Sequence, residues 1–153
     1  MKVNKFQESN LKEDYVDVHY KDMNNKIQNL FDYLSASQSI IGKSEDTQVI
    51  INPFDIYYCE VVDKKNFAYL KTQVYQLDIS LQNVVDYFSH CGFVRVSKSM
   101  IVNVYKVKYL KADINMRVHI MMENGERIIM NRSYKKDFYK YLKELEGAVY
   151  SEK

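Results

Sequence analysis

The spacing of apolar and polar positions changes character near residue 49 of this chain. Before that point, Tyr15-Val16-Asp17-Val18-His19-Tyr20 alternates and predicts a strand. Asp22 then stands where a helix cap belongs, and Met23, Ile27, Leu30, Phe31 and Leu34 recur on one helical face. The run Ser35-Ala36-Ser37-Gln38-Ser39, followed by Gly42, predicts the end of that helix. An amphipathic helix must bury its stripe, either in the core of its own fold or against a second subunit.

From Val49 onward, β-branched and aromatic residues dominate. Val49-Ile50-Ile51, Ile56 to Val62, Phe67 to Leu70 and Gln73 to Leu77 read as strands, and the polar breaks Asp63-Lys64-Lys65-Asn66 and Lys71-Thr72 suggest a meander. Leu81, Val84, Val85 and Phe88 share one helical face, with Ser80 as the natural N-cap and Gly92 after the end. Phe93 to Val96 and Met100 to Val102 are again strand-like. Val118 to Met122 and Arg127 to Met130 flank Glu123-Asn124-Gly125-Glu126, where Asn-Gly predicts a type I′ hairpin turn. Tyr134, Phe138, Tyr141, Leu142 and Leu145 predict a closing helix from Ser133. The pattern is that of a mainly β domain with a few helices, without the β-α-β alternation of a parallel-sheet nucleotide fold.

Composition narrows the class. The chain has 153 residues, 46% hydrophobic and 27% charged, as in an ordinary globular domain. With 4 Gly and 1 Pro it has no flexible linker. No apolar run approaches membrane-spanning length, and the basic start lacks the apolar core of a signal peptide, so the expected location is the cytoplasm. Cys59 and Cys91 are isolated and read as buried free thiols. The net charge of +2 conceals an asymmetry: residues 1–49 carry 6 Lys+Arg and 8 Asp+Glu, whereas residues 92–143 carry 12 and 4. A basic excess of that size attracts polyanions.

Catalytic constellations are missing from the sequence. His19, His90 and His119 are scattered without metal-ligand spacing, and the chain has no nucleophile elbow and no glycine-rich phosphate loop. Neither an enzyme nor a bound cofactor or metal is expected. Instead, short hydroxyls and cations gather in three polar segments, Asp63-Lys64-Lys65-Asn66, Ser97-Lys98-Ser99 and Asn131-Arg132-Ser133-Tyr134-Lys135-Lys136. Ser and Lys suit phosphate oxygens and base edges. Ser133 at the start of the last helix would leave its first N–H groups facing a phosphate.

These segments carry a resemblance. Asp55 to Glu60, Ser80 to Val84, the run Phe93-Val94-Arg95-Val96-Ser97-Lys98-Ser99-Met100-Ile101-Val102-Asn103, the Glu123 to Glu126 turn and Asn131 to Tyr134 together resemble a LytTR DNA-binding domain over about Ile50 to Leu145. The resemblance implies an elongated β-β-β fold over residues 49–147, preceded by a strand-and-helix extension over residues 1–48. It implies a bacterial transcription regulator that lays loops into successive major grooves of double-stranded DNA. Carried over by position, the base contacts are Asn66, Lys98 and Arg132. Lys64, Lys65, Ser97, Ser99, Ser133, Lys135 and Lys136 are the phosphate candidates. Arg132 suits guanine, whose O6 and N7 its fork can bond together. Asn66 reads adenine or caps its loop, Lys98 reads a base or pairs with phosphate, and Asn103 holds the motif's turn together. Other members carry His where Asn66 stands, or His-Arg-Ser and His-Asn-Ser where Ser97-Lys98-Ser99 stands. The extension is too short for a receiver domain. It is expected to add to the core, to form a homodimer on repeated half-sites, or to meet an inhibitory membrane protein. A competing reading makes the chain a non-enzymatic adaptor whose basic face docks an acidic protein or an anionic surface.

Overall fold

The computed structural model describes residues 1–35 and 39–145. Helix α1 (Asn25–Ser35) is followed by strands β1 (Ile40–Ser44), β2 (Thr47–Ile51), β3 (Tyr58–Val62), β4 (Lys65–Tyr69) and β5 (Val74–Leu77). Helix α2 (Leu81–Tyr87) leads to β6 (Phe93–Ser97), β7 (Met100–Asn103) and β8 (Val107–Ala112). The chain continues through β9 (Val118–Met122), β10 (Arg127–Ile129) and helix α3 (Lys135–Glu144). Seven strands form one sheet in the order β2-β1-β5-β4-β3-β7-β6, and three form a second in the order β10-β9-β8. Every strand pair is antiparallel.

Successive residues of a strand face opposite sides of its sheet, so the large sheet builds two cores. Cys59, Ala68, Phe93 and Ile101 pack with Leu81, Val84 and Phe88 around α2. Their neighbours Tyr58, Val94, Val96 and Val102 pack with Val118, Ile120, Met122, Ile128, Met130 and Phe138 of the small sheet and α3. Three layers result, with the large sheet in the middle. Ser80 caps α2 as its sequence predicts, its Oγ accepting the Asn83 N–H at 3.1 Å.

Several local expectations are corrected. Residues 15–20 form no strand: they are mostly exposed and unpaired, and alternation without a partner strand does not make a sheet. The cap of α1 is Asn24, whose Oδ1 accepts the Ile27 N–H at 2.9 Å, so Asp22 stands outside the helix. The serine-rich run expected to end α1 includes residues 36–38, which lie outside the described residues, as does the end of the expected domain at 147. Gly42 does not terminate a helix but sits inside β1. A Cβ there would lie 2.5 Å from Ile51 Cδ1 and 2.7 Å from Tyr75 Cβ. The stretch expected to precede the domain thus supplies β1, which bonds both β2 and β5, and the position of the expected boundary falls within β2.

The hairpin turns are also distributed differently. At Asn124-Gly125 the Gly125 N–H reaches the Met122 carbonyl, the Met122 N–H reaches Glu126, and only Gly125 has positive φ, at 91°. This is a three-residue turn ending in a left-handed glycine, the G1-bulge arrangement. The type I′ signature lies instead at Asp63-Lys64, with φ of 50° and 65°, between the paired residues Val62 and Lys65. Strand β8 escapes a reading by alternation because a bulge between Val107 and Tyr109 shifts its register.

Candidate nucleic-acid interface

The register of the large sheet places the polar segments. Strand β3 runs antiparallel to both β4 and β7. The β3–β4 turn and the β6–β7 turn therefore emerge at the same end, where the Val61 N–H donates to the Ser99 carbonyl at 2.8 Å. Leu77 pairs with Asn66, so the segment leaving β5 toward α2 arrives at that end too. The third segment is tied on by the Asn131 N–H, which donates to the Val96 carbonyl of β6 at 2.9 Å. Lys64, Lys65, Lys98 and Arg132 thus share one end of the sheet, each exposed.

A cleft of about 510 Å³ opens among these segments, lined on its basic side by Lys64, Lys65, Arg95 and Lys98. Asn66 also lines it but is only 6% exposed. It was expected in a loop and stands in β4, because the turn closes in two residues and ends before it. Its Nδ2 donates to the Ile79 carbonyl at 2.8 Å, joining β4 to the segment that enters α2, and its buried Oδ1 has no partner among the described residues. Of the three residues expected to touch bases, Lys98 and Arg132 are exposed and Asn66 is enclosed.

The β6–β7 turn is held from several sides. Ser97 Oγ accepts the Ser99 N–H at 3.3 Å, and Arg95 Nη1 donates to the Lys98 carbonyl at 2.7 Å. A register shift between Arg95 and Ser97 marks a bulge, a device that re-aims a side chain at a strand end. Arg95 was not singled out from sequence. The signal was present: a cation between Val94 and Val96, which both face the core, must point to the other side of the strand.

At the third segment, Ser133 does not cap α3. Asn131 caps a 3-10 turn over Arg132–Tyr134, its Oδ1 accepting both the Ser133 N–H at 3.0 Å and the Ser133 hydroxyl at 2.8 Å. Helix α3 then starts at Lys135 without a side-chain cap, with Lys136 exposed beside it. Asn103 lies at the opposite end of β7, fully buried, bonded to Ile56 and Tyr105.

Both thiols are free and buried, and burial pushes them up, Cys91 to about 12. His119 Nε2 stands 2.9 Å from Asp113, whose carboxyl is held well below its usual range by that contact and by bonds from Arg117 and Asn115. Among the described residues, no group of three His, Cys, Asp or Glu is placed to hold a metal ion, and no helix is long and apolar enough to cross a membrane.

Comparison with known proteins bears on this geometry. Residues 46–143 match the family model described as the LytTr DNA-binding domain. An uncharacterized HTH-type transcriptional regulator of Staphylococcus aureus strain NCTC 8325 is 28% identical over 139 residues, covering 89% of this chain and 94% of the relative. A similarly named protein of strain MRSA252 is 27% identical over the same length. A solved LytTr DNA-binding domain from Bacillus cereus superposes with a TM-score of 0.65 at 27% identity, covering 70% of this chain and 98% of that one.

Proposed function

Because the chain belongs to the LytTr DNA-binding domain family, we propose that it regulates transcription by laying its three basic segments into successive major grooves of duplex DNA. The observation that carries this reading is the register that gathers Lys64, Lys65, Lys98 and Arg132 at one end of a rigid sheet. From β4 to β6 the turns span about 14 Å at ordinary interstrand spacing. The long side chains of Lys64 on one flank and Arg132 beyond the other extend that row toward the ~34 Å between successive turns of the groove.

Roles divide by exposure and donor geometry. Arg132 reads guanine through its two-pronged fork, and Lys98 reads a base edge from the β6–β7 turn. Asn66, already spent on Ile79, holds the first loop against the start of α2, which leaves that loop's contacts to Lys64 and Lys65. Ser97, Ser99, Ser133, Lys135 and Lys136 bond phosphates, the last two beside the uncapped start of α3, where partial positive charge favours an anion. The exposed Tyr33 and Leu34 of α1 offer a surface to a second copy on repeated half-sites or to an inhibitory membrane protein.

The test is fluorescence anisotropy on a duplex selected by the protein from a random library, against a shuffled duplex of equal composition. Arg132→Ala should cost about 1–3 kcal/mol on the selected duplex and relax preference at one base pair. Lys135→Ala should weaken both duplexes alike and lower the slope of log affinity against log salt by about 1. If Arg132→Ala binds both duplexes as the parent does, the assignment of Arg132 is wrong.

A further inference from the structure

We infer that Arg95 is a positioning residue that sets the aim of Lys98, a role that rests on the DNA-binding reading above. Three observations converge on the β6–β7 turn. The Arg95 guanidinium bonds the backbone carbonyl of Lys98 itself, at 2.7 Å, across three residues of sequence. The bulge between Arg95 and Ser97 leaves Val96 out of the register, so the Ser97–Met100 pair that closes the turn is out of step with the Arg95–Ile101 pair below it. On the other flank, the turn is tied to β3 through the Ser99 carbonyl and to itself through Ser97 Oγ. Across this irregular step the guanidinium holds the Lys98 carbonyl, and the direction of the Lys98 side chain follows its backbone.

Position and bonding set Arg95 apart from the exposed cations around it. Arg95 is half-buried on the cleft side of β6, while Lys98 and Ser99 at the tip are exposed. One of its donors is committed inside the protein, at a distance typical of strong charge-assisted bonds. Arg95 therefore acts on sequence preference through Lys98 and not by neutralising a phosphate.

The two roles separate in salt dependence. With the library-selected and shuffled duplexes as probes, Arg95→Met should reduce preference for the selected duplex by about tenfold, the scale of one hydrogen bond from a charged donor. The slope of log affinity against log salt should change by less than about half a unit, because no phosphate contact is lost. Arg95→Lys, which keeps a single donor, should recover part of the preference. A slope lower by about 1 would mean that Arg95 touches phosphate and would overturn the proposal. Unchanged preference in Arg95→Met, with the parent still discriminating, would overturn it as well. If the parent itself shows no salt-dependent affinity for duplex DNA, the DNA-binding reading fails first. The urea midpoint of each variant, expected to stay near that of the parent, separates misaiming from unfolding.

Discussion

Replacing Asn103 with alanine should remove about 1.5–4 kcal/mol of stability while leaving DNA affinity intact. Asn103 is fully buried, and its side chain serves two backbone groups. Its Nδ2 donates to the Ile56 carbonyl at 2.9 Å, across 47 residues of sequence, and its Oδ1 accepts the Tyr105 N–H at 3.0 Å. Ile56 is itself fully buried, so its abandoned carbonyl finds no water, at a cost of about 1–3 kcal/mol. Tyr105 is half exposed, and its N–H can turn to solvent. Losing the cap of that 3-10 turn then costs only about 0.5–1 kcal/mol. With a urea dependence of about 2 kcal/mol per molar, the unfolding midpoint followed by circular dichroism should fall by about 0.8–2 M. Asn103 pairs with Phe93 at the end of β7 remote from the basic turns, so duplex affinity measured without urea should stay within about threefold, under 1 kcal/mol. A midpoint lowered by less than about 0.3 M at unchanged slope would refute the reasoning, since the two bonds would then be worth almost nothing. Asn103→Asp sharpens the result: it keeps the acceptor for Tyr105, removes the donor to Ile56, and should destabilise at least as much.

Two further predictions come from backbone and charge. Lys64 has φ of 65°, so Lys64→Gly should raise stability by about 0.5–1 kcal/mol in urea unfolding and yet lower the salt slope of duplex binding by about 1. A loss of stability would show that the left-handed turn is not strained by lysine. Asp113 has its carboxyl held low, chiefly by His119 and then by Arg117 and Asn115, so its stabilising contribution is complete above the ordinary carboxylate range and fades as pH falls through the depressed value. Asp113→Asn should therefore unfold at lower urea than the parent at pH 7, with the gap between the two midpoints starting to narrow below about pH 4. A gap that shows no narrowing between about pH 7 and pH 2 would assign the effect to geometry and not to charge.

Much of this protein is legible along the chain. The β-rich run Phe93 to Val96, the Ser80 cap, the Phe138 stripe and the basic excess of residues 92–143 each report a local rule; β6 and α2 form where the rule puts them, and α3 starts two residues after Ser133. Local rules fail where a long-range partner decides the outcome. Residues 15–20 alternate but meet no strand, whereas Gly42, read as a helix stop, is drawn into β1 by its pairing with Val49 and Leu77. The type I′ turn falls at Asp63-Lys64, without glycine, because the pairing of Val62 with Lys65 leaves two residues to reverse the chain. The chemistry of the three polar segments belongs to the sequence alone. Their meeting at one end of a sheet, the burial of Asn66 and the hold of Arg95 on Lys98 depend on strand register, which joins residues tens of positions apart and leaves no mark in local spacing.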